Sequence, residues 1–233
     1  MKLTESIRNK RFDGVLDTHL WKTSNEYTAL AAIKFCYGEK YKDLIKSEAP
    51  DFQDLKNSIA IEMIDSVTPL DAQTTGEFTK ISFSKTEEEK LKRRKKIERN
   101  GAKMLMDGMM MWPTRSPETE QREILFAFSK KLKKLPEYHK RGFDKIGLLI
   151  YHEKPLFDET LQECDKWLIE VQSASDMKYD FVYLFHIEGM LFYDFCSGEK
   201  THVVISHEDR HALGNLGRMA AEGEIKDDDP IWV

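Results

Sequence analysis

Asp51 and Glu62 are the side chains in this chain best spaced to do chemistry. Asp51 opens "PDFQDL", Glu62 sits inside "SIAIEMI", and the polar turn Lys56-Asn57-Ser58 divides the two runs. Apolar runs split by such a turn predict two adjacent strands. Neighbouring strands can set two carboxylates side by side, and paired hard oxygen donors suit Mg²⁺ or Mn²⁺. Period-two alternation puts Ile59, Ile61 and Met63 on one face of the second run and Ala60, Glu62 and Ile64 on the other. Glu62 therefore stands among apolar neighbours, where a carboxylate needs a partner and a metal ion is one. A plainer alternative makes Asp51 a turn residue after Pro50 and Glu62 a solvent-facing strand residue.

A cation for that site can come from the lysine run "SKKLKK". At ~100° per residue with Ile124 at zero, Phe128, Leu132 and Leu135 form an apolar stripe and Lys131 lies at its edge, near about 340°. Lys134, Lys130 and Lys133 fall progressively outward by the same count. Lys131 is thus the lysine best able to reach inward, with Lys134 beside it, although a charge run is more commonly a solvated face.

The order Pro50-Asp51, Glu62 and then a lysine-bearing helix resembles the PD-(D/E)XK nucleases, the restriction-endonuclease-like superfamily. Its signature is Pro-Asp, a spacer and Glu-x-Lys. Here the Pro, the Asp and the Glu match, and Ile64 stands at the lysine position. Some branches carry the lysine on the following helix in a K-x-x-K-L-x-x-Y pattern. Lys131, Lys134, Leu135 and Tyr138 have that spacing, ahead of an apolar strand near 145–151. The resemblance spans roughly residues 26 to 195. It implies an α/β fold with a mixed central sheet flanked by helices, and a metal-dependent endonuclease that hydrolyses DNA phosphodiester bonds. Asp51 and Glu62 would hold one or two Mg²⁺ (or Mn²⁺) ions. Lys131, with Lys134 next to it, would orient the attacking water or steady phosphate charge. Glu26, on the first helix, would support the metal shell, although Thr23 and Glu26 also have the spacing of a capping box, the stronger reading of the two.

A rival constellation is His207-Glu208-Asp209-Arg210-His211, a literal H-E-x-x-H. On a helix, its histidines bind Zn²⁺ and its Glu activates water in zinc peptidases. Charged residues fill the two middle positions, where zincin helices are usually apolar. Ser206 and Asp209 fit a capping box, which puts His207 in the first turn. Glu222 and Glu224 are the obvious third ligands. A third reading keeps the nuclease fold without catalysis, binding nucleic acid or protein.

Composition narrows the class. Of 233 residues, 40% are hydrophobic and 33% charged, so the chain can build a core and carry a well-hydrated surface. A net charge of −5 argues against a general nucleic-acid coat protein but not against a local basic patch. "KTEEEKLKRRKKIERNGAK" is such a patch, read either as a solvated helix held by ion pairs or as a phosphate-tracking face. Cys36, Cys164 and Cys196 are scattered, which predicts a reduced, cytoplasmic protein rather than a disulfide scaffold or zinc knuckle. The first residues lack the apolar stretch of a secretory signal, and no run reaches membrane-span length. DNA is the expected partner, and the oligomeric state stays open, a homodimer included.

The elements that must position these residues follow from pattern and punctuation. One domain is expected: an arm over 1–22, a core over 24–205 and a C-terminal helix and tail over 206–233. The spacing predicts a helix over 23–37 stopped by Gly38, strands near 50–55 and 59–67, and a loop over 68–84. Helices follow over 86–106 and 117–135, then a strand near 145–151 and a helix near 158–174. Strands near 180–187, 190–196 and 201–205 precede a helix from Ser206 to Gly223 and a loose tail. Met104, Met106, Met109, Met110 and Met111 read as flexible packing rather than a cofactor site.

Overall fold

The computed structural model describes residues 1–105, 109–112 and 116–232. Met106 of the methionine cluster lies outside them. In chain order the elements are α1 (Glu5–Arg8), a 3-10 turn (Thr18–Leu20), α2 (Trp21–Tyr37), a second 3-10 turn (Gly38–Tyr41), β1 (Ile45–Lys46), β2 (Phe52–Asp54) and β3 (Ile59–Asp65). Next come α3 (Pro69–Ser82), α4 (Glu87–Arg99), β4 (Lys103–Met104), β5 (Met110–Met111), α5 (Pro117–Leu132), α6 (Leu135–His139) and β6 (Lys145–Tyr151). The chain ends with α7 (Asp158–Ser173), β7 (Phe181–His186), β8 (Gly189–Asp194), β9 (Lys200–Val204), α8 (His207–Ala221) and a 3-10 turn (Pro230–Trp232). These residues form two compact units. The first joins Met1–Ser66 to Ile124–Val233, and the second is Val67–Glu123.

The first unit is a mixed α/β layer structure. Its seven-stranded sheet runs β1-β2-β3-β6-β7-β8-β9. The central β3, β6 and β7 are parallel, and the outer pairs are antiparallel. The expected class, a mixed central sheet flanked by helices, is therefore observed. Burial of the parallel strands on both faces explains their near-continuous apolar runs. In β6, Ile146, Leu148 and Ile150 pack in one core with Ile124 and Phe128 of α5 and Leu168 of α7. Leu149 and Tyr151 enter the opposite core with Ala29 and Ile33 of α2 and Leu213 and Leu216 of α8. Gly147 lies across from Phe181 in the ladder, and a Cβ there would sit 2.0 Å from the Phe181 ring. Gly217 on α8 is held to glycine likewise, because its missing Cβ would meet Thr28 Oγ1 at 2.0 Å.

The second unit is built on the α3–α4 helix pair and the short β4–β5 ladder. Thr68 caps α3 by accepting the Asp71 N–H at 3.0 Å, and Pro69 occupies the first turn. Buried Glu77 of α3 accepts from Arg93 at 2.9 Å and Lys96 at 2.7 Å on α4.

Several sequence expectations are corrected. The segment expected as a loop over 68–84 is helix α3. Its threonine hydroxyls bond back into the helix, Thr74 to Leu70 O and Thr79 to Thr75 O, so their polarity does not open the chain. The helix expected over 86–106 stops at Arg99, with Gly101 at φ +95°. That expected over 117–135 breaks after Leu132 and resumes as α6. The N-terminal arm and the tail both pack. Leu3 and Ile7 are buried, and Asn215 donates to Ile7 O at 2.9 Å. Trp232 is buried, and its carbonyl accepts Lys34 Nζ at 3.0 Å. The two-residue strand β1 went unseen because nothing so short carries a period. Among the described residues no helix is long and apolar enough to cross a membrane.

Two glycines of opposite type test this packing. Gly147→Ala should lower the urea midpoint, by about 1–3 kcal/mol, because the added methyl overpacks Phe181. Gly76→Ala, in the interior of α3 with open space at its Cβ, should stabilise the second unit by about 0.5–1 kcal/mol.

Candidate active site

The site assembles at the C-terminal end of β3, where open parallel sheets commonly present ligand sites. Phe52 of β2 pairs with Ile61 of β3 and Gln53 with Ala60. One further step of this antiparallel register sets Asp51 across from Glu62. Directly opposed residues share a face, so both carboxylates project to the same side. Asp51 follows Pro50 at the bend that enters β2. Its Oδ2 accepts the Met63 N–H at 2.7 Å, which fastens the bend to β3. Asp51 and Glu62 are both buried.

Lys131 completes the cluster. It stands in the last turn of α5, and its Nζ donates a short hydrogen bond to Glu62 Oε1. Glu62 Oε2 is a buried oxygen without a hydrogen-bond partner, and so is Asp65 Oδ1 at the end of β3. Burial, followed by the Glu62 charge, pushes the Asp51 carboxyl up to about 6. Burial, with Glu153 and Glu26 behind it, pushes Asp65 to about 6 as well. Tyr138 of α6 is held far above the usual phenol range, first by burial and then by Glu62, so its hydroxyl keeps its proton at any ordinary pH.

Glu26 lies in the same neighbourhood, and the capping box expected for it does not form. Helix α2 begins at Trp21, so Thr23 is inside it and no capping box forms. Nor is Glu26 a free ligand. Its buried carboxylate is bridged by Lys22 at 3.2 Å and Lys46 at 2.9 Å, and binding a metal would require displacing both ammonium groups. Glu26 is a lesser contributor, behind burial, to the upward shift of both Asp51 and Asp65.

A cleft of about 210 Å³ is lined by Lys22, Glu26, the strand end Met63–Asp65, and Lys130, Lys131 and Lys134. Lys131 is the member that bonds Glu62, as its place beside the apolar stripe suggested. Lys130, expected to face solvent alone, lies on the rim, and Lys134 joins it from the turn before α6. No motif or spacing in the sequence marks Asp65, Lys22 or Lys46. A carboxylate closing an apolar parallel strand was the available signal for Asp65.

The donors fit a hard cation in a limited way. Among the described residues no three His, Cys, Asp or Glu side chains gather as a metal-binding group. Protein ligation would therefore come from Asp51 and Glu62, with backbone or water oxygens making up the rest. That number of carboxylates is ordinary for Mg²⁺, and the orphaned Glu62 Oε2 is the oxygen open to it.

The H-E-x-x-H residues lie elsewhere. Ser206 caps α8 by accepting the Asp209 N–H at 3.0 Å, so His207 is the first helical residue, as expected. His207, Glu208 and His211 line a cleft of about 460 Å³ with Glu5, Arg8, Asn9 and Arg11, and Arg8 is paired with Asp209 at 2.5 Å. Glu222 is paired with Arg218 at 2.9 Å and Glu224 with Lys10 at 2.5 Å, so the third ligands considered for zinc are engaged.

Comparison with protein-family models, with curated proteins and with solved structures finds no match.

The raised carboxyls dictate a pH dependence. With affinities lifted from 3.8 to about 6, the native state binds more protons than the unfolded chain in between. The contribution of these groups to stability is thus greatest below about pH 4 and declines as pH rises through 6. Asp65→Asn should raise the denaturation midpoint at pH 7.5, by on the order of 2 kcal/mol, and the gain should vanish near pH 4. A gain independent of pH would locate the effect elsewhere.

Proposed function

We propose that this chain is a metal-dependent nuclease that hydrolyses DNA phosphodiester bonds with Asp51, Glu62 and Lys131, in the manner of the PD-(D/E)XK enzymes with a relocated lysine. The observation that carries this reading is Lys131 bonded to Glu62 while Asp51 stands opposite Glu62 in the strand register. Asp51 and Glu62 would hold Mg²⁺ or Mn²⁺. When bound, such an ion supplies an acidic water and neutralises charge on phosphoryl oxygens.

The remaining roles belong to the chain itself. Lys131 holds an ammonium at the edge of the carboxylate pair, where it can turn to a water or a phosphate oxygen. Its charge there acts mainly on the transition state. Tyr138 stays protonated beside Glu62 and limits how that carboxylate turns. Lys130 and Lys134 on the rim offer charge to a phosphate backbone.

Purified protein with Mg²⁺ or Mn²⁺ should cut DNA, and EDTA should stop it. Asp51→Ala should abolish cutting while leaving the melting temperature unchanged or raised, because removing one of two close carboxylates relieves repulsion. Lys131→Ala should reduce turnover by about 10²–10³-fold with a modest effect on DNA affinity. Lys133→Ala, on the exposed side of the helix end, should alter salt dependence alone. Equal small losses in both lysine variants, or cutting that survives Asp51→Ala, would remove the catalytic reading and favour a nuclease-like fold used for binding.

The peptidase alternative has its own measurement. No stoichiometric zinc should co-purify, and His211→Ala should leave DNA cleavage intact. Bound zinc lost in His211→Ala would move the assignment to the histidine cleft.

A further inference from the structure

We propose that the outward face of α4 is a docking surface for the phosphate backbone of nucleic acid, separate from the candidate active site. Residues 90–99 hold seven Lys and Arg and a single acid, Glu98, in a chain whose net charge is −5. The acids Glu87, Glu88 and Glu89 are confined to the first turn, where the helix dipole favours them.

The basic residues divide by face. Arg93 and Lys96 turn inward and are consumed by buried Glu77. Ile97, fully buried, fixes the same side. That clamp sets the rotation of α4 and leaves Lys92, Arg94, Lys95 and Arg99 exposed. Lys92, Lys95 and Arg99 follow i, i+3, i+7 spacing, so they form one stripe along the helix, with Arg94 beside it. Glu88 lies one turn from Lys92, and Glu98 one turn from Arg94 and Lys95, so four exposed cations face two acids and the surface is net positive, which complements a polyanion. Arg99 is the one of the four with no acid one turn away.

The ligand is identified by chemistry. A linear array of phosphodiesters offers evenly repeated charge, and neutralising it releases counterions, which drives non-specific binding. Naming nucleic acid as that polyanion rests on the nuclease reading of the cleft; the charge complementarity itself does not. The second unit is inserted directly after β3, which carries Glu62, and returns through α5, which carries Lys131.

Fluorescence anisotropy in EDTA, with the full chain and labelled single-stranded or duplex DNA of 30 units, tests this apart from cleavage. Affinity should fall steeply with salt. The triple variant Lys92→Gln, Lys95→Gln, Arg99→Gln should weaken binding at least tenfold. It should also flatten the log–log salt slope by about two to three units, near 0.7–0.9 per lost phosphate contact. Its circular dichroism melt should match the parent, since the three side chains face solvent. A control removing equal charge elsewhere, Lys2→Gln, Lys140→Gln, Lys178→Gln, should bind like the parent.

Equal losses in both triples would mean that net charge alone matters and would overturn the proposal. So would a triple variant that binds like the parent, or a parent that binds neither DNA. Binding that depends on α4 in a parent that never cuts would uphold the surface while removing the nuclease reading. Cutting without such binding would do the reverse. The two DNA forms decide between a single-strand and a duplex ligand.

Discussion

A buried carboxylate on β3, Glu62, set opposite a second one at the bend that enters β2, Asp51, is the constraint around which the first unit is arranged. Burial and then the Glu62 charge oppose ionisation of Asp51, and its raised proton affinity records that cost. Two features offset it: the Met63 N–H on Asp51 and the Lys131 ammonium on Glu62. The first lies within the hairpin; the second does not. Lys131 arrives from a helix far along the chain, so the site exists only when the β3–β6 crossover has closed.

The packing explains why that closure is accurate. The α5 helix is anchored by Ile124, Ala127, Phe128 and Leu132 in the same core as Ile146, Leu148 and Ile150. Lys131 sits one residue from this stripe, with its stem against apolar surface and its head at the carboxylates. A helix free to rotate would present Lys130 or Lys133 equally well. In the same cleft, Glu26 and Lys22 of α2, with Lys46 of β1 bonded to Glu26, supply further charge. The acids of the cleft therefore feel ammonium groups from several elements, and their protonation depends on the whole layer rather than on neighbours in sequence.

Charge is also partitioned along the chain. The acidic total conceals a helix, α4, whose bases are divided between structure and solvent. Glu77 uses two of them to hold the helix pair together. That division gives a charged segment both a folding role and a free face, and explains why composition alone could not separate the two readings.

Much of the framework was legible in residue order. The β6 strand was expected over the residues it occupies, and α2, α7, α8 and the β7–β9 run lie within a few residues of their expected bounds, because Gly38, Ser206 and alternating apolar residues mark them. The pairing of Asp51 with Glu62 was legible too, since a short turn between strands fixes register. The place of Lys131 followed from helical periodicity, a local property. Tertiary structure decided the rest. Glu26 looked like a cap partner, but Lys46 from a strand too short to have a period turned it into a buried ion pair. Thr-rich α3 looked like a loop until its hydroxyls bonded back along the helix. Leu3 and Trp232, near the two ends of the chain, gained burial from α2 and α8, which no local pattern encodes. Sequence determines what depends on neighbours a few residues apart; burial and the identity of a charge's partner depend on distant segments meeting, and only the folded chain settles those.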